Sequence, residues 1–174
     1  MKSIISLFFI ALFIFPAISF SQAAKVSINK TSNGFQLIKN DEPYYIKGAG
    51  AKSNFKKVVE SGANSIRIWS TNKSELLDSA YKYNLSVCLG IWVAQERNGF
   101  NYNDEYNVRS QIELIKKEII RLKDHPSVIL WGIGNEVDLQ YSNFKVWETI
   151  EEIAKFIKKV DPNHPTATVI AGLD

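Results

Sequence analysis

The sequence predicts the α/β class, with a largely parallel sheet. Three observations carry this. Val128-Ile-Leu-Trp131 is an unbroken apolar run rich in β-branched and aromatic residues, as a strand covered on both faces requires. Segments 105–123 and 144–160 place apolar residues three and four apart, the stripe of a helix lying on a core. Strand-like and helix-like segments alternate along the chain, which implies parallel pairing through right-handed crossovers.

The first residues are not part of that pattern. Met1-Lys-Ser3 is a short positive head, Ile4 to Phe20 is almost wholly apolar, and Ser21-Gln-Ala-Ala24 supplies small residues for cleavage. Residues 1–23 read as a secretory signal peptide, which places the remainder, 24–174, in the periplasm or outside the cell. The competing reading is an N-terminal membrane anchor, since the run approaches spanning length. No second apolar run of that length follows, so the mature chain is expected to be free of the membrane.

Lys25 to Asn40 reads as a hairpin around Thr31-Ser-Asn-Gly34, with Asn-Gly as the turn signal. A second turn, Lys39 to Pro43, leads into Tyr44–Gly50, the first strand of the parallel sheet. Ser53 is placed to cap a short helix carrying Phe55, Val58 and Val59, ended by Gly62. Asn64–Trp69 is the second strand. Ser74 starts a helix with Leu76, Leu77, Ala80 and Tyr83 inward. Leu85–Val93 is the third strand, and Ala94–Asp104 a polar loop. The helix from Glu105 to Lys123 carries Val108, Ile112, Ile115, Ile119 and Leu122. The strand at Val128 follows, then a helix from Phe144 to Val160 with Val146, Ile150, Ile153, Ile157 and Val160 inward. Asp161-Pro-Asn-His-Pro165 stops it. Thr166–Ala171 is a fifth strand.

Composition excludes some functions. The chain has 174 residues, 45% hydrophobic and 22% charged, and a net charge of +3 from scattered Lys and Arg, so nothing points to nucleic acid. Four Trp and 12% aromatics suit carbohydrate stacking as well as a large core. The single cysteine, Cys88, sits in an apolar run and forms no disulfide framework. Two distant histidines with one cysteine make no metal site, and no cofactor is expected.

The chemistry concentrates after the strand at Val128. Gly132 and Gly134 remove side-chain bulk, and Asn135-Glu136 follows where the strand emerges. Parallel α/β folds place catalytic groups at the carboxyl ends of strands, and a carboxylate beside a neutral amide is a general acid/base candidate. The plain alternative is a solvated Glu beside a turn-forming Asn. Arg67 lies inside an apolar strand between Ile66 and Ile68, where a charge needs a partner. Trp69 and Trp92 end the second and third strands, as sugar-stacking walls or as upper core. Glu96 reads as a loop residue. Asp138, two residues past Glu136, is not held by the chain at a fixed separation from it. His125 is expected to cap a helix C-terminus, and His164 sits in a proline-rich turn.

Asp124-His-Pro-Ser-Val-Ile-Leu-Trp-Gly-Ile-Gly-Asn-Glu136 resembles the fourth-strand segment of retaining glycoside hydrolases with (β/α)8 barrels, the clan of families 2 and 5. The resemblance extends from about Phe35 onward. It implies a TIM (β/α)8 barrel of which this chain supplies about the first five β/α units, preceded by a short β-hairpin, since the whole barrel needs about 250 residues. It implies Glu136 as the acid/base, Asn135 on the sugar 2-hydroxyl, and Arg67 orienting a nucleophilic Glu that ends strand seven. No residue here occupies that position. The implied activity is cleavage of O-glycosidic bonds in an oligo- or polysaccharide with retention of configuration, and the chain by itself is expected to be inactive. The hairpin, without a preceding β-sandwich, leans toward family 5 and its relatives. A transglycosylase of the same clan shares these features. A non-catalytic carbohydrate-binding relic and a small open-sheet protein for another ligand remain as alternatives, though Gly48-Ala-Gly50 lacks the rest of a dinucleotide fingerprint.

Overall fold

The computed structural model describes residues 22–172. The predicted signal peptide therefore lies, but for its last two residues, outside the described residues. Among these, no helix is long and apolar enough to cross a membrane.

Among the described residues, eight strands form two sheets. The first is antiparallel, from β1 (Val26–Thr31), β2 (Gly34–Lys39) and β3 (Glu42–Pro43). The hairpin register, Thr31 opposite Gly34 and Val26 opposite Lys39, follows the Asn-Gly turn. A third strand appears where the sequence suggested only a turn. Asn40 and Asp41 both adopt positive φ, 51° and 67°, which suits a two-residue turn between antiparallel strands.

The second sheet is wholly parallel, in the order β4 (Gly48–Gly50), β5 (Ser65–Ile68), β6 (Ser86–Ile91), β7 (Val128–Ile133) and β8 (Thr166–Thr168). Helices α1 (Phe55–Glu60), α2 (Glu75–Lys82), α3 (Glu105–Leu122) and α4 (Lys145–Val160) make the crossovers. Sequence-order neighbours pair throughout, as in successive β/α units of a TIM barrel.

Burial follows the predicted stripes. Ile115, Ile119 and Leu122 of α3 pack with Val146, Ile150, Ile153 and Ile157 of α4 on Val128, Trp131 and Ile133, and Ile112 is buried as well. Asp104 accepts the Asn107 backbone N–H at 3.1 Å and so caps α3.

Several local expectations fail. The first parallel strand shrinks from Tyr44–Gly50 to three residues, and the fifth ends at Thr168. Both lie at the sheet margins, each with one pairing neighbour. Asn54, not Ser53, precedes α1, in the left-handed conformation, and neither it nor Ser74 makes a side-chain cap bond. Val59 and Tyr83 are exposed rather than inward. Each stands at the end of a short helix, where the stripe rotates off the sheet. Cys88 is half-buried, and burial raises its thiol pKa despite the opposing charge of Arg67. His125 caps α3 through its backbone, whose N–H donates to Leu122 O at 3.0 Å, and not through its side chain: Nδ1 accepts the Ser127 N–H at 3.2 Å and Nε2 lies 3.3 Å from Asp78.

The antiparallel sheet covers the amino-terminal end of the parallel one. Val26 N–H donates to Asn163 O at 2.7 Å, Tyr44 Oη lies 2.9 Å from Ser65 Oγ, and Lys39 Nζ donates to Ser86 Oγ at 2.8 Å. Ala24 and Val26 pack there on Ile129. The other end of the parallel sheet carries the polar loops.

Candidate active site

Strands β5, β6 and β7 end side by side, with Ile68 beside Leu89 and Ile91 beside Ile133. The chain leaves β7 through Gly134, whose φ of 74° favours glycine, and an added Cβ would lie 3.1 Å from Val137 Cγ1. Gly134 N–H donates to Ile91 O at 2.9 Å, which holds the turn to the neighbouring strand.

Glu136 then takes a left-handed backbone, φ 51°. For a non-glycine residue this costs on the order of 1–3 kcal/mol and persists only where the surroundings impose it. Its N–H donates to Val169 O at 2.7 Å, and its carbonyl accepts from Arg97 Nη1 at 2.6 Å. The preceding carbonyl, of Asn135, accepts from Gln95 Nε2 at 2.5 Å. Two consecutive peptide oxygens are thus clamped by the loop after β6.

That loop is itself braced. Tyr102 Oη donates to Ala94 O at 2.5 Å and Gln111 accepts the Ala94 N–H at 2.7 Å. Burial pushes the Tyr102 phenol up to about 12, so it remains a donor.

Arg67 is half-buried and points to the same edge. Its Nη2 donates to Asn135 Oδ1 at 2.7 Å. The partner that its buried charge requires is therefore a neutral amide, and among the described residues it makes no ion pair. The Asn135 Nδ2 donors make no protein hydrogen bond among the described residues and are left for another acceptor. The Glu136 carboxylate is 43% exposed and lies 3.6 Å from Arg97 Nη2. Such a half-exposed pair contributes about 0–1 kcal/mol, too little to lock the carboxylate away from a substrate.

Trp69 and Trp92 face a cleft of about 480 Å³ at this edge, with Lys52, Asn72 and Lys73. Trp92 is 47% exposed and is not core. Trp69 is partly buried, its ring lying over Gly50, where any Cβ would collide with it. Arg67 Cζ sits 5.3 Å from the Trp69 ring centre. The Arg67 guanidinium therefore joins the aromatic wall to Asn135.

The other carboxylates of this edge are occupied by backbone. Glu96 accepts the Ser142 and Asn143 N–H groups at 2.6 and 2.8 Å, and these bonds, Asn143 first, hold its carboxyl below the usual glutamate range. Asp138 accepts the Ala171 N–H at 2.9 Å. Among the described residues, Glu136 is the carboxylate here whose oxygens accept no backbone hydrogen bond. Its chemistry suits proton transfer to a polar substrate lying between amide, guanidinium and aromatic faces.

Of the residues singled out from sequence, Asn135, Glu136, Arg67 and Trp69 form one connected group, and Trp92 lines the same cleft. Gln95 and Arg97 were missed. The signal available was the polar quartet Gln95-Glu-Arg-Asn98, placed directly after an apolar strand that ends at this edge.

Comparison with known proteins bears on this geometry. A family described as glycosyl hydrolases family 2, TIM barrel domain, matches residues 61–171. The β-D-glucuronidase of Dictyoglomus thermophilum is similar in structure at 22% identity and a TM-score of 0.63, over 86% of this chain and 29% of that one. The β-glucuronidase of Ruminococcus gnavus is similar at 19% identity and a TM-score of 0.61, over 84% and 28%. A family 2 member from Bacteroides cellulosilyticus gives 22% and 0.66, over 87% and 21%. At these identities the likeness shows the fold, and the chain spans less than a third of each of these proteins. The matched stretch begins beyond the hairpin that leaned toward family 5, so that hairpin did not discriminate.

Proposed function

The chain belongs to the family 2 glycosyl hydrolases, within their TIM-barrel domain, and from that premise we propose that it carries the acid/base half of a retaining glycosidase site. In this reading Glu136 donates a proton to the leaving glycosidic oxygen and later takes one from water. Asn135, its Oδ1 held by Arg67, presents its Nδ2 donors to a sugar hydroxyl. Trp69 and Trp92 stack on the C–H faces of sugar rings, and the substrate is an oligo- or polysaccharide. The single observation that carries the reading is the 2.7 Å bond from Arg67 to Asn135. It ties the second-strand guanidinium, an aromatic wall and the residue before Glu136 into one unit at the carboxyl edge.

Retention needs a second carboxylate about 5–5.5 Å from the first. Glu96 and Asp138 are held by backbone N–H groups. Neither of these carboxylates is therefore free to serve as that nucleophile, and residues 24–174 alone are expected not to turn over an aryl glycoside. Turnover by that polypeptide would defeat this part of the proposal. The role of Glu136 is tested with glycosides of graded leaving groups in a polypeptide that contains this chain and turns glycosides over. Glu136→Ala is expected to lower kcat about 10²–10⁴-fold for a poor leaving group, and far less for a dinitrophenyl group that departs without a proton. An equal loss for both would remove Glu136 from the acid role.

A transglycosylase would use the same residues with a sugar hydroxyl in place of water. A carbohydrate-binding relic is favoured by one observation, the engagement of Glu96 and Asp138 in holding loops. It predicts oligosaccharide affinity that Glu136→Gln leaves unchanged. Export through the N-terminal segment stands as part of the same proposal and is tested by N-terminal sequencing of protein recovered from the medium or periplasm.

A further inference from the structure

We propose that Arg97 is the positioning residue of the acid/base: by holding the Glu136 carbonyl it imposes the left-handed backbone that sets where the Glu136 carboxylate enters the cleft. The inference rests on the preceding reading of Glu136 as a proton donor and adds the residue through which that donor is placed.

A left-handed backbone crowds the Cβ of a glutamate against its own carbonyl, so it persists only where neighbours impose it. At Glu136 φ is 51°. Its N–H donates to Val169 O at 2.7 Å. Its carbonyl accepts the Leu139 N–H at a long 3.3 Å and Arg97 Nη1 at 2.6 Å. The charged bond is the short one, and a charge-assisted bond is about twice as strong as a neutral one. Arg97 Nη2 lies 3.6 Å from the Glu136 carboxylate, so one guanidinium reaches both ends of the residue. A lysine is a single point charge and cannot span both.

The segment that carries Arg97 is fixed before it reaches Glu136. Arg97 sits in a short 3-10 turn, Glu96–Asn98. Gln95 is 2% exposed, its Nε2 donates to Asn135 O at 2.5 Å, and its Oε1 accepts Asn98 Nδ2 at 2.8 Å. Glu96 accepts the Ser142 and Asn143 N–H groups. Consecutive side chains 95, 96 and 97 therefore hold different points of the loop after β7. Gln95 and Val169 fix the peptide plane before Glu136, and Arg97 fixes the plane after it. Peptide planes are rigid, so holding both determines the two dihedrals of the residue between them. The Arg97 side chain is 19% exposed and both of its terminal nitrogens face Glu136. It acts on Glu136 and not on a substrate.

The first test reads Glu136 directly by nuclear magnetic resonance of the full chain, where its carbon shifts and Cα–Hα coupling report a left-handed backbone. Arg97→Ala is expected to move them to the values of an ordinary right-handed or extended residue, while the signals of β5, β6 and β7 stay in place. Arg97→Lys, the milder variant, should give an intermediate position. Glu136 signals unchanged in both variants overturn the inference and leave the acid/base reading standing. A collapsed spectrum for Arg97→Ala, with Glu136 unmoved in Arg97→Lys, makes Arg97 scaffold and also overturns it. The second test uses a polypeptide that contains this chain and turns glycosides over. There Arg97→Ala should lower kcat about 10–100-fold for a poor leaving group with KM little changed. In the Glu136→Ala background it should add no further loss, because residues that act as one unit are not additive. An additive loss means that Arg97 acts elsewhere and overturns the inference. No loss from Glu136→Ala itself removes the acid/base reading, and the resonance shifts still decide whether Arg97 holds that backbone.

Discussion

The two ends of the parallel sheet treat polar groups in opposite ways. At the amino-terminal end, polar groups pair with one another out of water, leaving only His164 Nε2 without a partner among the described atoms of that cluster. The Asp161 and His164 side chains are 2% and 0% exposed. Trp131 Nε1 donates to Asp161 Oδ2 at 2.7 Å, and His164 Nδ1 lies 2.8 Å from the same oxygen. At the carboxyl-terminal end the backbone is clamped while the side chains stay partly exposed, as with Glu136 and Trp92. The first arrangement stabilises the fold. The second holds chemistry in place at a cost in local strain. Stability and function are therefore expected to respond to different mutations.

The largest expected effect on stability is at Trp131. Trp131→Ala empties a fully buried site and strips Asp161 of a donor, so a loss of about 3–5 kcal/mol is expected in urea denaturation. Trp92→Ala at the other end should cost well under about 1 kcal/mol. Similar losses at the two positions would erase the contrast.

Asp161→Ala comes next, at about 2–4 kcal/mol, because it leaves the Trp131 N–H and the His164 ring unpartnered in a buried place. Its pH signature has a definite sign. Burial pushes the Asp161 carboxyl up, but bonds from His164, Trp131 and the Asn163 N–H outweigh it, and the net position is below the ordinary value of 3.8. The group therefore contributes stability that is fully present above that value and is lost as pH falls below it toward the folded-state value. Denaturation midpoints taken from pH 6 down to pH 2 should show this acid limb, and Asp161→Asn should flatten it.

Gly90→Ala sharpens the comparison from the other side. A Cβ at Gly90 would stand 2.6 Å from the Trp69 carbonyl carbon and 2.7 Å from Ile68 O, backbone atoms that must shift. A loss of about 1–3 kcal/mol is expected, together with a change in tryptophan fluorescence as Trp69 moves. A stability loss without a spectral change would mean that Trp69 is not held by this contact. The smallest expected effect is at Glu136 itself: Glu136→Gln should alter stability by no more than about 0.5 kcal/mol, since its half-exposed pair with Arg97 contributes little. A larger loss would make Glu136 part of the scaffold.

Particular elements show which parts of this were legible in advance. The stripe Ile112, Ile115, Ile119, Leu122 and the run Val128–Trp131 record burial in their own spacing, so α3 and β7 were readable to within a residue or two. Asn135-Glu136 was readable because an apolar strand must end where its polar residues begin. Short elements carried no such record. Tyr44–Ile46 reads as strand yet pairs with nothing in the parallel sheet, and Ser53 and Ser74 look like caps yet make no cap bond. Gln95 and Arg97 were hidden because their partners lie 40 and 39 positions away, and no local pattern encodes a bond of that span.

By itself, then, the sequence determined the class, the order of strands and helices, and the edge at which a carboxylate emerges, because hydrophobic periodicity is a local consequence of burial. Only the tertiary structure decided that Arg67 answers Asn135 rather than an acid, that Glu96 and Asp138 are held by loops, and that two lysines and two tryptophans share one cleft. Those outcomes depend on distances between segments far apart in the chain, which are set when the crossovers bring the strand ends together.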